Sequence, residues 1–347
     1  MRACWKEKYH YILFLLLSLT GFITLQGQDW HYSQFQVSEA TLNPAHTGMF
    51  DGIVRGGLQE RTQWLSVGKP FQTITGTVDL PVYKHAGKQW LVGTGISITD
   101  DNAGDTRYHS FQVQGSVGIT KGLDRYHHHR ISAGAYVAWL HRSLNRDALS
   151  FDEQYVNGYF SPDNPISETI ERVSFGFLDW GIGMAWTYRI NSKHNLVLGT
   201  TLSHLNRPEQ SLLNVTSLLP VKSLSYIFAK ITVSDYCQLQ PAMYTAFQSR
   251  YFTLVAGSNV EFIFKKNNYQ NGISVGTGLF YRYRDALVVT FLTEWENLRL
   301  VCSYDINISK FDIATRYRGG FELSLFYTLK RKKTGRAGYE PCSYGIL

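Results

Sequence analysis

This chain has few charged residues and few long apolar runs. Lys, Arg, Asp and Glu make up 18% of its 347 residues, whereas about 25% is usual in soluble domains. Beyond the N-terminus, no segment offers the roughly 20 apolar residues that a membrane-spanning helix needs. Mean hydropathy is −0.19, so the composition excludes a helical membrane protein and is atypical of a soluble domain.

Cysteine is scarce as well. The chain has four cysteines, and Cys4 precedes the apolar N-terminal stretch. The remaining Cys237, Cys302 and Cys342 are odd in number, far apart and without a CxxC spacing. This pattern implies neither a disulfide framework nor a zinc site.

Catalytic signatures are missing too. The sequence holds no GxSxG, HExxH or Walker pattern, and we expect no enzyme activity and no cofactor. The consecutive histidines 127–129 cannot all ligate one metal from a strand, because neighbouring side chains point to opposite faces. The oxygen-rich loop 100–105 lacks the Glu-terminated twelve-residue spacing of a calcium loop, which favours a solvated turn over a metal site.

Aromatic residues, glycine and strict alternation are what the chain has in abundance. Aromatics make up 14%, and there are 30 glycines. From Leu178 to Tyr188, large and mostly apolar residues alternate with small or polar ones. A period of two indicates a strand with one apolar face and one face of small or polar residues. With Trp180 on the apolar face, we expect Trp180→Arg to disturb membrane insertion and Gly181→Ser to be milder.

The same pattern recurs along most of the chain. Each predicted strand has about 10 to 14 residues, enough for a tilted strand to cross a bilayer. An even number of strands returns both chain ends of a barrel to one side. The sequence therefore predicts an all-β protein, a transmembrane antiparallel β-barrel of about 14 strands. The predicted strands are 53–64, 71–80, 89–99, 108–120, 129–142, 178–189, 195–205, 223–233, 236–247, 251–263, 272–283, 286–295, 297–308 and 319–329.

The connections between these strands give a second signal. The three longest, 143–177, 206–222 and 309–318, all follow odd-numbered strands. Most connections after even-numbered strands are short. Longer extracellular loops alternating with short periplasmic turns are typical of outer-membrane barrels, so we expect a bacterial outer-membrane location.

The chain ends complete the predicted domain organisation. Residues 1–27 resemble a signal peptide, with basic residues before an apolar stretch and Gly27 before the expected cleavage. Residues 28–48 do not have the pattern of a strand and form either a periplasmic segment or a plug in the barrel mouth. Residues 49–330 form the predicted barrel, and 331–347 form a basic C-terminal tail. The formal net charge is +7, but nucleic acid is not an expected partner of an exported barrel.

Short pieces spread along the chain resemble one known family, the PorP/SprF outer-membrane proteins of the type IX secretion system. No single piece is specific, but their shared order is. The positions we take as family motif are Ser33, Gln34, Phe35, Asn43, Pro44, Gly48, Trp64, Gly104, Asp105, Asn206, Arg207, Pro208 and Asp285. Further matching pieces are Leu42, Ala45, Arg61, Gln63, 100–103, 149–154, 204–205, 283–284, 286–287, 303–306, 319–320 and 322–325.

The resemblance implies an outer-membrane component of the secretion and gliding machinery. Its partners would be periplasmic ring or adaptor proteins, secreted cargo proteins that it helps to export or attach to the surface, and outer-membrane lipid. The family supplies no catalytic residues. The first strand near 54–58 is looser than in the family, and the basic tail is longer, so the role of this particular member stays open.

A second class of function remains possible from sequence. Fourteen strands can enclose an outer-membrane porin or a channel for hydrophobic solutes. A selective pore often carries rings of one charge. The predicted lumen positions here are mostly Gly, Ser, Thr and Gln, with Asp179, Asp305 and Glu322 scattered among them, which favours a packed or plugged interior.

Overall fold

A computed structural model describes most of the predicted barrel. The predicted signal peptide, the basic tail and Asp105 lie outside the described residues. The described residues are 29–65, 68–85, 89–104, 107–125, 128–145, 149, 151–156, 158–161, 164, 173–191, 193–211, 216–266, 270–309 and 315–330.

Fourteen long antiparallel strands close into a single barrel. A separate two-stranded hairpin, β6 and β7, lies within the longest connection. The strands are β1 Val54–Gln63, β2 Phe71–His85, β3 Trp90–Ala103, β4 Tyr108–Gly122, β5 His129–Ser143, β6 Tyr155–Val156, β7 Tyr159–Phe160, β8 Ser174–Arg189, β9 His194–Ser203, β10 Lys222–Ser234, β11 Cys237–Gln248, β12 Tyr251–Lys266, β13 Gln270–Arg282, β14 Ala286–Trp295, β15 Leu298–Asn307 and β16 Arg318–Leu329.

The barrel closes where the first strand meets the last. β1 pairs with β16 from Val54↔Leu329 to Gln63↔Gly320, and every other long strand pairs with its neighbours in sequence order. Closure leaves the barrel without a strand edge, so the backbone of each of its fourteen long strands is hydrogen-bonded on both sides, as a lipid environment requires.

In the part of the chain that the structure describes, helix is limited to short pieces. α1 spans Glu39–Leu42, and 3-10 turns span Pro44–His46 and Asp152–Gln154. Among the described residues, no helix has the length and apolar character needed to cross a membrane.

The strand prediction is confirmed in number and position, with differences at the ends. β2 continues to His85 instead of ending at 80, β8 begins at Ser174 instead of 178, and β12 continues to Lys266 instead of 263. At these ends the strands remain paired beyond the apolar alternation, because backbone hydrogen bonds between neighbouring strands do not depend on apolar side chains. The β6–β7 hairpin was not predicted, since two-residue strands carry no periodic signal.

The predicted faces are also observed. In β8, Leu178 is 60% exposed and Trp180 50%, whereas Asp179 is 1% exposed. The apolar row therefore points outward to lipid and the small or polar row points into the lumen. That Gly181→Ser is milder than Trp180→Arg stays a prediction. A Cβ at Gly181 would lie 2.5 Å from the ring of Tyr136, so this glycine makes room for an aromatic side chain.

The two ends of the barrel differ. The three longest connections, 144–173, 204–221 and 308–317, all lie at one end, which we call the loop end. β1 begins and β16 finishes at the opposite end, which we call the turn end. This arrangement is that of outer-membrane barrels, whose longer loops face the cell exterior.

Candidate functional site

Residues 29–50 run through the barrel lumen from the loop end to the turn end. The Asp29 carboxylate lies 2.7 Å from Nε2 of His204 and accepts a hydrogen bond from Gln248, both at the loop end. At the turn end, Ile53 donates its backbone N–H to Leu329 O over 2.7 Å. Of the two alternatives left by the sequence, a periplasmic segment or a plug, the structure has this segment inside the barrel; we call residues 29–50 the plug.

Buried charges in the parts of β1, β13, β15 and β16 nearer the loop end fix the plug to the wall. Glu322 accepts the backbone N–H groups of Ser33 at 2.7 Å and Gln34 at 2.9 Å. Arg61 donates to Glu322 and lies 3.1 Å from Asp305. We call Arg61, Arg282, Asp305 and Glu322, with Ser33, the central cluster.

Every charge in the central cluster is paired. Arg282 donates to Asp305 Oδ2 at 2.7 Å and to the Ser33 hydroxyl at 2.8 Å. Glu322 is 0% exposed and Asp305 1%. Removing one partner of such a buried set costs about 3–5 kcal/mol, because the remaining charge is left uncompensated. The cluster therefore ties the position of the plug to strands β1, β13, β15 and β16.

One aromatic side chain of the plug inserts into an apolar part of the lumen. The Phe35 ring lies 4.6 Å from the ring of Tyr244, 5.8 Å from Phe228 and 5.9 Å from Phe280, measured between centroids. Phe35 is 5% exposed. This wall, formed by β9 to β14, contributes Val197, Tyr226, Phe228, Ala242, Tyr244, Ala246, Val255, Phe280 and Val288.

The opposite wall meets the plug with glycines. Gly93 pairs with Gly118, Gly118 with Gly134, and Gly134 with Gly183. We call these four the glycine row; they cross β3, β4, β5 and β8 side by side. A Cβ at Gly93 would lie 2.6 Å from Gly48 Cα, and one at Gly118 would lie 2.8 Å from Pro44 O. Glycine within a strand often marks a close backbone approach, and here the approaching backbone is that of the plug.

A tight turn of the plug rests on the glycine row. Pro44 opens the 3-10 turn Pro44–His46, and the Asn43 side chain accepts the N–H of Ala45 at 2.9 Å. The Asn43 amide also donates to Met184 O at 3.0 Å, Thr200 O at 3.2 Å and Tyr226 Oη at 2.8 Å. One residue thus caps the turn and binds it to the barrel wall.

A second set of ion pairs holds the plug near the turn end. Arg55 lies 2.9 Å from Asp79 and 3.2 Å from Glu39. Asp79 also accepts the N–H of Gly48 at 2.8 Å. Gly48 has a φ of +72°, a conformation that glycine adopts at little cost. Burial raises the pKa of the Glu39 carboxyl, with Arg55 opposing that rise.

The first residue of the described chain is held by a charged group at the loop end. Nδ1 of His204 lies 3.0 Å from Asp179, and Lys222 lies 3.6 Å from Asp29. Burial lowers the pKa of His204, but its bonds to Asp179 and Asp29 outweigh that and raise the pKa to about 9. Burial acts to raise the pKa of Asp29, but Lys222 and His204 bring it well below its usual range. We call Asp29, Asp179, His204 and Lys222 the loop-end cluster.

A cavity of about 160 Å³ remains between the plug and the wall. It is bordered by Asp29 and His204 at the loop end, and by Gln59, Tyr136 and Tyr244 deeper in the lumen. Both amide atoms of Gln59 lack a protein partner within the described chain. Apolar side chains, among them Phe35 and Leu140, also line it. A cavity of this size has room for about 11 to 16 waters at roughly 10–15 Å³ each.

The structure gathers several predicted motif positions and separates others. Ser33, Gln34, Phe35, Asn43, Pro44 and Gly48 all belong to the plug and contact the wall. Asp285 pairs with Arg282 of the central cluster. The remaining described positions, Trp64, Gly104, Asn206, Arg207 and Pro208, lie in loop-end connections.

These loop-end positions shape their turns. The Trp64 ring packs 4.8 Å from Phe71. Gly104 and Arg207 have φ values of +63° and +44°, and the Asn206 amide donates to Leu178 O at 2.6 Å. Leu219 donates its N–H to Pro208 O at 2.9 Å. None of these contacts reaches the plug, so the motif positions divide between the lumen and the loop end.

The glycine row, Arg282 and Tyr226 were not predicted from the sequence. The four glycines were visible as small residues at lumen positions, but their alignment depends on the register of four strands. Arg282 ends β13 and gave no pattern of its own. Within the described part of the chain, no three His, Cys, Asp or Glu side chains are grouped to hold a metal ion.

Comparison with solved structures supports the barrel architecture. A TodX mutant, a monoaromatic hydrocarbon channel, is 10% identical over 85% of this chain and 94% of its own, with a TM-score of 0.50. The toluene transporter TbuX of Ralstonia pickettii is 12% identical over 84% and 93%, with a TM-score of 0.49. A FadL homologue from Pseudomonas aeruginosa is 10% identical over 84% and 94%, at 0.48. Similarity at this level reflects the fold alone.

Comparison by sequence is more specific. No curated protein matches the chain. The family model described as type IX secretion system membrane protein PorP/SprF matches residues 24–327, nearly the whole chain. The protein is therefore a member of the PorP/SprF family of type IX secretion system membrane proteins and resides in the bacterial outer membrane.

Proposed function

We propose that the protein is an outer-membrane component of the type IX secretion and gliding machinery that binds periplasmic ring or adaptor proteins and secreted cargo. It would serve the export of that cargo or its attachment to the cell surface. The observation that carries the proposal is the family match over residues 24–327. Binding surfaces at the two ends of the barrel would perform this function, and the proposal assigns no role to a catalytic group.

The two ends suit different partners. The long connections 144–173 and 204–221 lie at the loop end, and loops of that length are usually functional or disordered. We assign cargo contact to this end. The turn end would face the ring proteins, together with the basic tail 331–347, which follows the last strand. A signal peptide at 1–27 would direct the chain to the periplasm first.

The plug supports this assignment over an open porin. The lumen is crossed by residues 29–50, and the charges of the central cluster are engaged in pairs with one another. A porin lumen needs free polar space for its solute. With the lumen filled in this state, the outer surfaces are the parts available to partners.

Deletion of the middle of the 143–177 loop tests the proposal. The barrel should still fold, seen as normal heat modifiability on a gel, while cargo retained on the cell surface falls severalfold. Truncation after Lys330 is the matched variant at the other end: it should reduce co-purification of ring proteins and leave the loop-end surface intact.

The opposite result is as informative. Unchanged cargo export and attachment in the loop deletion, together with a collapse of small-solute uptake, would favour the channel alternative over the secretion role.

A further inference from the structure

The number of strands makes the plug necessary for a filled lumen. Side chains fill a barrel of about eight strands, whereas one of 16 to 18 strands leaves an aqueous channel. This barrel has fourteen. In the described chain the middle of the lumen is occupied by residues 29–50, whose Phe35, Asn43 and His46 are all buried. Without these residues the wall side chains would leave a continuous space.

The plug is attached to the wall without sharing its backbone ladder. Its backbone–backbone hydrogen bonds in the described chain join plug residues to one another, as in Leu42 to Ser38 and Thr47 to Pro44. Every long strand of the wall is already paired on both sides. Between residues 29–50 and the described wall there is therefore no backbone–backbone hydrogen bond, and departure of the plug would leave the strand pairing intact.

The glycine row shows that the wall is shaped for this segment. Glycine inside a strand costs roughly 0.5–1 kcal/mol relative to alanine, and four directly paired glycines repeat that cost across β3, β4, β5 and β8. Packing of the plug backbone against the glycine row offsets this cost to the stability of the wall. By contrast, a Cβ at Gly115 or Gly76 would meet nothing within 4 Å, so those glycines do not serve the plug.

We propose that the barrel is a plugged conduit: residues 29–50 close a lumen that passes ions and small hydrophilic solutes when the segment leaves the glycine row. The solute class follows from the polar side chains of β1, β2, β4 and β5, which lie apart from the aromatic wall of β9 to β14. Gln59, Thr75, Gln114 and Ser132 are buried lumen residues, and the central cluster adds charges of both signs. The proposal stands independently of the secretion role, because it concerns the lumen and not the outer surfaces.

The cavity of about 160 Å³ would form the first part of the conduit. It extends from the loop-end cluster to Gln59 and Tyr244 beside the plug. The atoms that line it include unpaired amide groups of Gln59 and a carboxylate oxygen of Asp179. Displacement of the plug would extend this space toward the turn end.

Single-channel conductance of purified protein in planar bilayers tests the proposal. Gly134→Ala places a methyl group against the backbone of Pro44 and Ala45; overpacking of this kind should raise the open probability about tenfold or more. Gly115→Ala is the matched control, since it adds the same methyl group to the neighbouring strand on the lipid face. It should stay as closed as the unaltered protein.

A reversible cross-link provides the second arm. The hydroxyls of Thr47 and Ser116 lie 3.0 Å apart, so Thr47→Cys with Ser116→Cys, with Cys237, Cys302 and Cys342 changed to serine, should form a disulfide between plug and wall. The oxidised protein should show no openings, and reduction should restore them. Adding Gly134→Ala to this protein should open it only after reduction.

Heat modifiability confirms that each variant is a folded barrel before recording. A folded Gly134→Ala barrel that stays closed, or equal opening by Gly115→Ala, overturns the role of the glycine row. A folded barrel lacking residues 29–50 that passes no current overturns the conduit itself. Should Gly134→Ala not fold, the cross-linked protein decides: openings that persist when it is oxidised refute the proposal, and openings that appear only on reduction support it.

Discussion

The two sides of the lumen hold the same plug in opposite ways. On the side of β3, β4, β5 and β8, the glycine row has no side chains, and the backbone around Pro44 therefore lies directly on the strands. On the side of β9 to β14, Tyr226, Phe228, Tyr244 and Phe280 project inward, and a single plug ring, Phe35, packs among them.

The difference shows how a wide barrel can position an irregular segment. The glycine side defines where the plug backbone lies, because a methyl group there would collide with it. The aromatic side supplies buried apolar area, which is the larger source of free energy. Between them, the central cluster fixes the register of the segment through Ser33 and Gln34.

The largest expected effect is on the aromatic side. Phe35→Ala should weaken plug docking by about 3–5 kcal/mol, because it removes a buried ring and leaves a cavity. Native-state hydrogen exchange of residues 29–50 would measure this as a lower opening free energy. Phe321→Ala is the control, since Phe321 is 48% exposed on the outer face and should leave plug exchange unchanged. Equal exchange in both variants would mean that the aromatic side does not hold the plug.

A smaller effect is expected on the glycine side. Gly118→Ala should destabilise the docked plug by about 1–3 kcal/mol through overpacking against Pro44 O. Gly76→Ala, with open space around its Cβ, is the matched control. Faster exchange of the plug in the first variant alone would sharpen the contrast between the two sides; an effect larger than that of Phe35→Ala would reverse the ranking proposed here.

The smallest effect is expected at the loop-end cluster, which lies on neither side. The pKa of His204 is raised from 6.5 to about 9, so its contribution is complete below pH 6.5 and is lost as pH rises through about 9. The pKa of Asp29 is lowered from 3.8, so its contribution is present above that pH and is lost in stronger acid. Docking of residues 29–31 should be firmest between about pH 4 and 6.5.

The corresponding measurement is exchange or thiol labelling near residue 29 as a function of pH. We expect about 1 kcal/mol of weakening between pH 6.5 and pH 10. His204→Gln should remove the dependence on alkaline pH and leave residues 43–48 as protected as before. An unaltered profile in this variant would show that the histidine does not control the plug end.

The strands and the motif positions were accessible from the sequence to different degrees. Alternation such as that of 178–188 is local, and it gave the number of strands and their faces. Asp305 and Glu322, by contrast, looked scattered among neutral lumen residues. They meet because β15 and β16 pair Ser303 with Glu322, and because Ser33, 289 positions before Glu322, lies between them.

Contacts of that separation depend on closure of the whole barrel, which no local pattern encodes. The glycine row is a similar case. Gly93 and Gly183 were each recognisable as small residues opposite large ones, but their common row appears only when β3, β4, β5 and β8 are in register. The family resemblance marked Ser33, Gln34 and Asn43 without explaining them, and the structure supplies the reason: each bonds the plug to the wall.

The path of the plug sets an order of events in assembly. Asp29 lies at the loop end, whereas β1, which follows the plug directly, begins at the turn end and closes the barrel against β16. A segment that contains the 3-10 turn Pro44–His46 is wider than an extended chain, so lateral enclosure is easier than threading lengthwise through a finished barrel. Pairing of β1 with β16 would then be the last step of folding. The plug would enter the lumen laterally, between the first and last strands, before these two strands pair.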